Sequence, residues 1–129
     1  MLSDPMANVM SALMTYEKNG KRELLITPVS KIIRKVLAIM QDHNYVGALE
    51  DLSEGRGGFA KIHLLGNVNQ CGVIKPRFAV KNQEFQKFEK RYHPANGGGI
   101  LILSTPLALM THVQAREKGL GGWLIAYCY

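Results

Sequence analysis

The stretch Gly99-Ile100-Leu101-Ile102-Leu103-Ser104-Thr105-Pro106 places four apolar residues directly before two hydroxyl side chains and a proline. A short apolar run bounded by glycine and proline predicts a buried strand. Ser104 and Thr105 are then expected at the point where this strand leaves the core. Two short hydroxyls on an anchored strand end form a rigid polar tip, which suits a partner rich in hydrogen-bonding groups.

The residues after the tip predict a short helix and a terminal strand. Thr111 and Gln114 have the spacing of a capping box, which predicts a helix from Thr111 to Lys118. Glycines at 119, 121 and 122 turn the chain, and the apolar residues 123–129 predict a last strand.

The first 65 residues show the order helix, strand, helix, strand, strand. Pro5 fits the first turn of a helix that Asp4 can cap, and Ser30 caps a second helix. Residues 55–58 have the composition of a hairpin loop. The sequence predicts an α+β protein with two small sub-domains: an N-terminal α-β-α-β-β unit over residues 1–65, and a C-terminal, mainly β unit with a short helix over residues 66–129.

The positive charge of the chain is concentrated in its second part. Residues 1–60 carry seven Lys/Arg and seven Asp/Glu, whereas residues 61–129 carry nine Lys/Arg and three Asp/Glu. An excess on one side favours a polyanion, most often nucleic acid, although a solubilising surface is the alternative. Ser30 and Lys31 lie where a helix N-terminus favours phosphate, but they also fit an ordinary cap. Arg56 in the hairpin loop fits a phosphate contact or simple solvent exposure.

Residues 75–92 interleave basic and aromatic side chains. The segment holds Lys75, Arg77, Lys81, Lys87, Lys90 and Arg91, together with Phe78, Phe85, Phe88 and Tyr92. Basic groups for phosphates and aromatic rings for unstacked bases are typical of RNA-binding surfaces. The spacing of the last three aromatics also fits the inner face of a helical turn, to which we assign the two phenylalanines while leaving Tyr92 open.

Several functional classes are not expected. No apolar run is long enough for a membrane span, and the first residues lack the basic region of a secretory signal. Cys71 and Cys128 stand alone, which fits a reducing cytoplasm better than a disulfide framework. The four histidines are scattered, and Ser104 lacks a hydrolase elbow. We therefore expect no catalytic site, metal, cofactor or small-molecule substrate.

Motifs along the whole chain resemble a known family. They are Gly99 to Thr105, Met110-Thr111-His112, Gly119-Leu120-Gly121-Gly122, Ala126-Tyr127-Cys128-Tyr129, the segment Asp4 to Asn8, and Pro28-Val29-Ser30-Lys31. Together they resemble the universal small-subunit ribosomal protein number eight. The segment Cys71 to Phe78 is similar to the archaeal and eukaryotic branch, and Lys90-Arg91-Tyr92 followed by Pro94-Ala95 favours archaea.

The resemblance implies a structural protein of the small ribosomal subunit, in the cytoplasm, that binds the central domain of the small-subunit rRNA directly and early in assembly. The C-terminal part would make the main contact, the N-terminal part would reach a second RNA helix, and neighbouring small-subunit proteins would be further partners. Some members also repress their own messenger RNA. By matching position, the implied RNA contacts are Ser104, Thr105, Ser30, Lys31, Asp4 and Pro5, with looser matches at Lys90, Arg91 and Tyr92. Independently of the resemblance, the basic residues of the second part would supply salt-dependent attraction to RNA: Lys75, Arg77, Lys81, Lys90 and Arg91.

The tip departs from the family pattern. After the Ser-Thr pair the family usually carries a further hydroxyl, a polar residue and glycine, whereas this chain has Pro106, Leu107 and Ala108. Trp123 stands where the family tends to carry a charged or polar residue. Leu107 and Trp123 would then face another protein or stack on a base, which leaves a protein-interaction module within the same particle as the alternative function.

Overall fold

The computed structural model of the chain describes residues 5–26, 30–51, 60–74, 79–81 and 99–129. The chain divides into two compact units, Met1–Cys71 and Gly72–Tyr129. The sequence predicts the boundary between the units after Leu65, at the start of the polar segment 66–72. The structure places it after Cys71, within the same segment. The predicted α+β class is confirmed, with helices and antiparallel sheets in the expected order.

The first unit has the predicted α-β-α-β-β order. Its elements are α1 (Pro5–Lys18), β1 (Glu23–Ile26), α2 (Lys31–Asp42), β2 (Val46–Asp51) and β3 (Ala60–Leu64). The strands form an antiparallel sheet in the order β1-β3-β2. In β3, Ala60, Ile62 and Leu64 are buried. This period-two pattern sets the intervening Lys61 and His63 on the opposite face of the sheet.

Both helices of the first unit form because apolar residues recur every three or four positions and so share one face. The buried residues are Met6, Val9, Met10 and Leu13 on α1, and Ile33, Val36, Leu37 and Met40 on α2. The chain leaves α1 through Gly20, whose φ of 69° is a backbone conformation that glycine adopts without strain.

The second unit is mainly β, as predicted. Its elements are β4 (Cys71–Val73), which starts at the last residue of the first unit, β5 (Ala79–Val80), β6 (Ile100–Ser104), β7 (Leu109–Thr111), α3 (His112–Glu117) and β8 (Gly122–Cys128). The sheet order is β4-β8-β6-β7, and β5 also pairs with β8. The sequence pattern predicts none of β4, β5 and β7, because two or three residues are too few to show a periodicity.

The quoted apolar run forms the buried centre of the second unit. Ile100 is 4% exposed, and Leu101, Ile102 and Leu103 are fully buried, which confirms the predicted strand. Burial of each such side chain stabilises the fold by about 1.5–3 kcal/mol. The core on one face consists of Ile74, Val80, Leu101, Leu103, Met110, Ala115 and Leu124.

Candidate nucleic-acid interface

The polar tip lies at the exposed end of β6. Ser104 is the last residue of the strand and is exposed, directly after three fully buried residues. It pairs with Leu109 of β7, so residues 105–108 form the connecting turn. The backbone N–H of Thr105 donates to the carbonyl oxygen of Ala108 at 3.1 Å and closes the turn. The tip is therefore a short turn held by a buried strand.

The Thr105 hydroxyl holds the turn together. Its O–H donates to the carbonyl oxygen of Ala108 at 2.7 Å. The same oxygen accepts hydrogen bonds from the backbone N–H of Leu107 at 3.2 Å and of Ala108 at 3.1 Å. A hydroxyl has one donor and two acceptor lone pairs, so these three bonds use its full capacity. Thr105 thus fixes the shape of the turn, a role that the order of residues alone does not reveal.

Ser104 presents its hydroxyl outward. No described residue hydrogen-bonds to its side chain, so one donor and two acceptor sites stay available to a partner. Pro106, Leu107 and Ala108 add no polar side chain to the turn. The Ser104 hydroxyl is consequently the polar side-chain group that the tip offers to a partner.

A row of residues crosses the sheet beside the tip. Ser104 lies opposite Trp123 of β8 and Leu109 of β7, and Trp123 lies opposite Ala79 of β5. Directly paired residues in antiparallel strands point to the same face. Ala79, Trp123 and Ser104 are exposed, and Leu109 is partly buried. We call these four residues the tip row.

Gly122 permits the close approach of β8 to the tip. A Cβ atom at this position would overlap the carbonyl oxygen of Ser104 and would lie 3.0 Å from its carbonyl carbon. Because the obstacle is backbone, no side-chain rotation could relieve it. The glycine at this position is thus required by the pairing of β6 with β8.

The start of α3 holds β7 against β6. Thr111 caps the helix: its Oγ1 accepts from the backbone N–H of Gln114 at 3.2 Å, and Gln114 Oε1 accepts from the N–H of Thr111 at 3.0 Å. The predicted capping box is therefore confirmed. The next residue, His112, is 4% exposed, and its Nδ1 accepts from the backbone N–H of Leu101 at 3.1 Å. These bonds tie the helix to the strand that carries the tip.

The N-terminus of α2 is the second candidate contact. Ser30 has an extended backbone, and its side chain accepts from the backbone N–H of Ile33 at 3.3 Å, which confirms the predicted N-cap. Ser30 and Lys31 are exposed, and the first turn carries no acidic residue. The helix dipole and the ammonium group therefore both favour an anion at this end.

The family model for Ribosomal protein S8 matches residues 4–129, nearly the whole chain. The chain belongs to the Ribosomal protein S8 family. Membership makes it a structural protein of the small ribosomal subunit that binds rRNA and other ribosomal proteins. This match confirms the family that the sequence motifs resemble.

The structure describes only some of the residues that the sequence and its resemblance to the S8 family singled out as RNA contacts. Ser104 and Thr105 lie at the tip, Ser30 and Lys31 lie at the start of α2, and Pro5 is exposed as the first residue of α1. The remaining candidates lie outside the described residues: Asp4, Arg56, Lys75, Arg77, Lys90, Arg91 and Tyr92. The tip and the α2 N-terminus belong to different units, each of which supplies its own candidate contact.

The outward face of the first sheet is charged but internally paired. Lys61 Nζ lies 3.6 Å from Glu23 Oε2 and 4.0 Å from Glu50 Oε2, and His63 Nε2 lies 2.9 Å from Glu50 Oε1. The hydrogen bond to His63, with the charges of His63 and Lys61, lowers the pKa of Glu50 below 4.5. Two carboxylates beside the lysine make this face a poor match for an RNA phosphate.

Cys71 packs as an apolar group. Its Sγ lies 3.5 Å from the carbonyl oxygen of Met10, and burial raises the thiol pKa to about 12. The thiol is therefore protonated at neutral pH. Across the described ranges, no cluster of three or more His, Cys, Asp or Glu could hold a metal ion. No helix in that part of the chain is long and apolar enough to cross a membrane.

Proposed function

We propose that this S8-family protein binds the central domain of the small-subunit rRNA directly and early in cytoplasmic ribosome assembly, without catalysing a reaction. The C-terminal domain, residues 66–129, makes the main contact through the tip. The N-terminal domain, residues 1–65, contacts a second RNA helix. Repression of its own messenger RNA follows if that messenger folds into a similar RNA shape.

The exposed Ser104 hydroxyl at the end of a fully buried strand is the observation that carries this proposal. An anchored hydroxyl has little freedom to lose on binding, so it can select a ribose 2′-hydroxyl or a base edge by position. Thr105 shapes the turn through its hydroxyl and completes the tip. Residues 72–129 carry eight Lys/Arg against three Asp/Glu, which supplies attraction to phosphates.

The remaining proposed contacts add phosphate binding around the tip. Ser30 and Lys31 bind a backbone phosphate at the α2 N-terminus, where Lys31 is exposed and no acidic residue follows in the first turn. Further positive charge for phosphate binding comes from Lys75, Arg77, Lys90 and Arg91. Tyr92 provides an aromatic ring for a base. The N-terminal domain adds contacts through Asp4, Pro5 and Arg56. These assignments rest on composition and on the match to the S8 family.

The test is a salt titration of binding to small-subunit rRNA transcripts. Wild-type protein should bind the central-domain transcript more tightly than transcripts of the other rRNA domains, with an affinity that falls linearly on a log–log plot against salt. Replacing Ser104 and Thr105 together by Ala should weaken binding by about 1–3 kcal/mol and leave the salt slope unchanged. Equal affinity for all domains, or an unchanged affinity of the double variant, would contradict the proposal.

Single lysine variants separate the phosphate contacts. Lys31→Ala should reduce the salt slope by about 1, because one phosphate contact is lost. Lys61→Ala is the matched control, since Lys61 lies beside two carboxylates on the sheet face of the same unit. Equal salt slopes for the two variants would contradict a phosphate contact at the α2 N-terminus.

A further inference from the structure

Trp123 is an exposed aromatic ring without a partner in the described part of the chain. It is the single tryptophan of the protein, and it is 54% exposed. Most of its neighbours in β8 are buried, including Leu124, Ile125 and Ala126. An indole left this open on a strand end offers a large flat apolar surface to a partner.

An irregularity in β8 sets Trp123 beside the tip. Ile102 pairs with Ala126, but the next residue of β6, Leu103, pairs with Leu124, so Ile125 is an extra residue in β8. Without this bulge, Leu124 would lie opposite Ser104. With it, Trp123 takes that position. Bulges commonly redirect a side chain in this way.

The immediate neighbours of the indole are small. Paired residues of an antiparallel sheet have Cβ atoms about 4.5–5.5 Å apart, so the Ser104 hydroxyl and the indole are within reach of one nucleotide. On its other side Trp123 pairs with Ala79, which is also exposed. The surface that these two described neighbours form beside the ring is therefore shallow. It suits a flat base better than a protein side chain, which needs a pocket to become well buried.

We propose that Trp123 stacks on an unpaired RNA base while Ser104 hydrogen-bonds to the same or the adjacent nucleotide. This inference rests on the proposed function, because it takes RNA as the partner of the tip row. The charge excess of residues 72–129 supports RNA as the occupant. Stacking adds affinity that depends little on base identity, and the hydroxyl adds positional selection.

Tryptophan fluorescence tests the stacking directly, since all indole emission comes from Trp123. Saturating central-domain transcript should quench this emission strongly. Heparin, a polyanion without bases, is the matched probe and should leave most of the emission intact. Equal quenching by heparin, or unchanged emission in a saturated RNA complex, would overturn the proposal.

Substitutions separate a ring from general apolar bulk. Trp123→Phe keeps a ring and should bind the transcript within about 3-fold of wild type, whereas Trp123→Leu and Trp123→Ala should weaken binding about 5- to 100-fold. The salt slope should not change in any of them. Val113→Ala removes a 47% exposed apolar side chain elsewhere in the same unit and should not alter affinity. Urea midpoints confirm that each variant folds.

The outcomes distinguish this inference from the proposed function. Wild-type protein that fails to bind the transcript overturns both. Wild-type binding with full affinity in Trp123→Leu overturns the stacking alone. If Trp123→Leu binds the RNA like wild type and is defective only in binding small-subunit proteins, the indole belongs to a protein neighbour, and this also overturns the stacking.

Discussion

The Nδ1 atom of His112 accepts a hydrogen bond from the backbone N–H of Leu101 at 3.1 Å, in the interior of the second unit. The pairing of β7 with β6 ends at Thr111, opposite Ile102. The next amide of β6, that of Leu101, has no partner in β7 because α3 begins at His112. The His112 imidazole accepts its hydrogen bond instead. A lone pair accepts this bond, so the proton of the neutral ring lies on Nε2.

Removing this acceptor should destabilise the protein. His112→Ala leaves a buried amide unpaired and also loses packing, so we expect the free energy of unfolding to fall by about 2–4 kcal/mol. His112→Asn is the matched variant, because its side-chain oxygen can occupy a position near that of Nδ1, and it should lose less. Urea unfolding measures both. Equal losses would mean that the hydrogen bond to Leu101 contributes nothing.

Adding a single methyl group at Gly122 should disrupt the tip. The Cβ would overlap the Ser104 carbonyl oxygen, so Gly122→Ala should lower the free energy of unfolding by about 1–3 kcal/mol and weaken RNA binding. Gly72→Ala is the control, because its Cβ would meet the movable end of the Tyr127 side chain at 2.9 Å. A smaller stability loss and unchanged RNA affinity are expected for the control. If Gly122→Ala loses no more stability and no more RNA affinity than Gly72→Ala, the close pairing of β8 with β6 is contradicted.

Local signals made much of this fold predictable. The Ser30 cap, the Thr111–Gln114 capping box and the apolar run before Ser104 depend on residues at most four positions apart, and each forms as expected. The bulge in β8 and the requirement for Gly122 depend on pairing between strands far apart in the chain. A local sequence pattern does not specify which residue of β8 pairs with which residue of β6.

The candidate site was only partly predictable for the same reason. The sequence identifies Ser104 and Thr105 as adjacent hydroxyls, but it does not show that Thr105 turns inward to the carbonyl oxygen of Ala108. It also does not show that Trp123 lies beside Ser104. The composition of the turn gives a weak signal for the first point, because threonine is common where a side chain bonds to the nearby backbone.

Substitutions of Thr105 should change the stability of the protein more than substitutions of Ser104. Thr105→Val removes three hydrogen bonds of the turn and should lower the free energy of unfolding by about 1–2 kcal/mol, whereas Thr105→Ser should retain them. Ser104→Ala should change stability by less than about 0.5 kcal/mol, because its hydroxyl is exposed. Thermal unfolding provides the comparison. A Thr105→Val variant as stable as wild type would show that the turn does not depend on the hydroxyl.

The Glu50–His63 pair should make stability depend on pH in the acid range. The His63 hydrogen bond lowers the pKa of Glu50 in the folded protein, so its contribution to stability is present above pH 4.5 and is lost as the pH falls through the lowered value. Glu50→Gln should therefore reduce the loss of stability on acidification below pH 4.5. Urea midpoints between about pH 3 and 7 measure this effect. Glu23→Gln, which leaves the His63 contact intact, should keep the wild-type acid response, and an identical response in Glu50→Gln would contradict the assignment.

A density map of the assembled small ribosomal subunit around residues 104–108 is the decisive test of the RNA contact at the tip. Ser104 Oγ should lie within hydrogen-bonding distance, about 2.5–3.0 Å, of a ribose 2′-hydroxyl or a base edge of the rRNA. Density that shows this side chain in open water or against another protein would contradict the proposed contact.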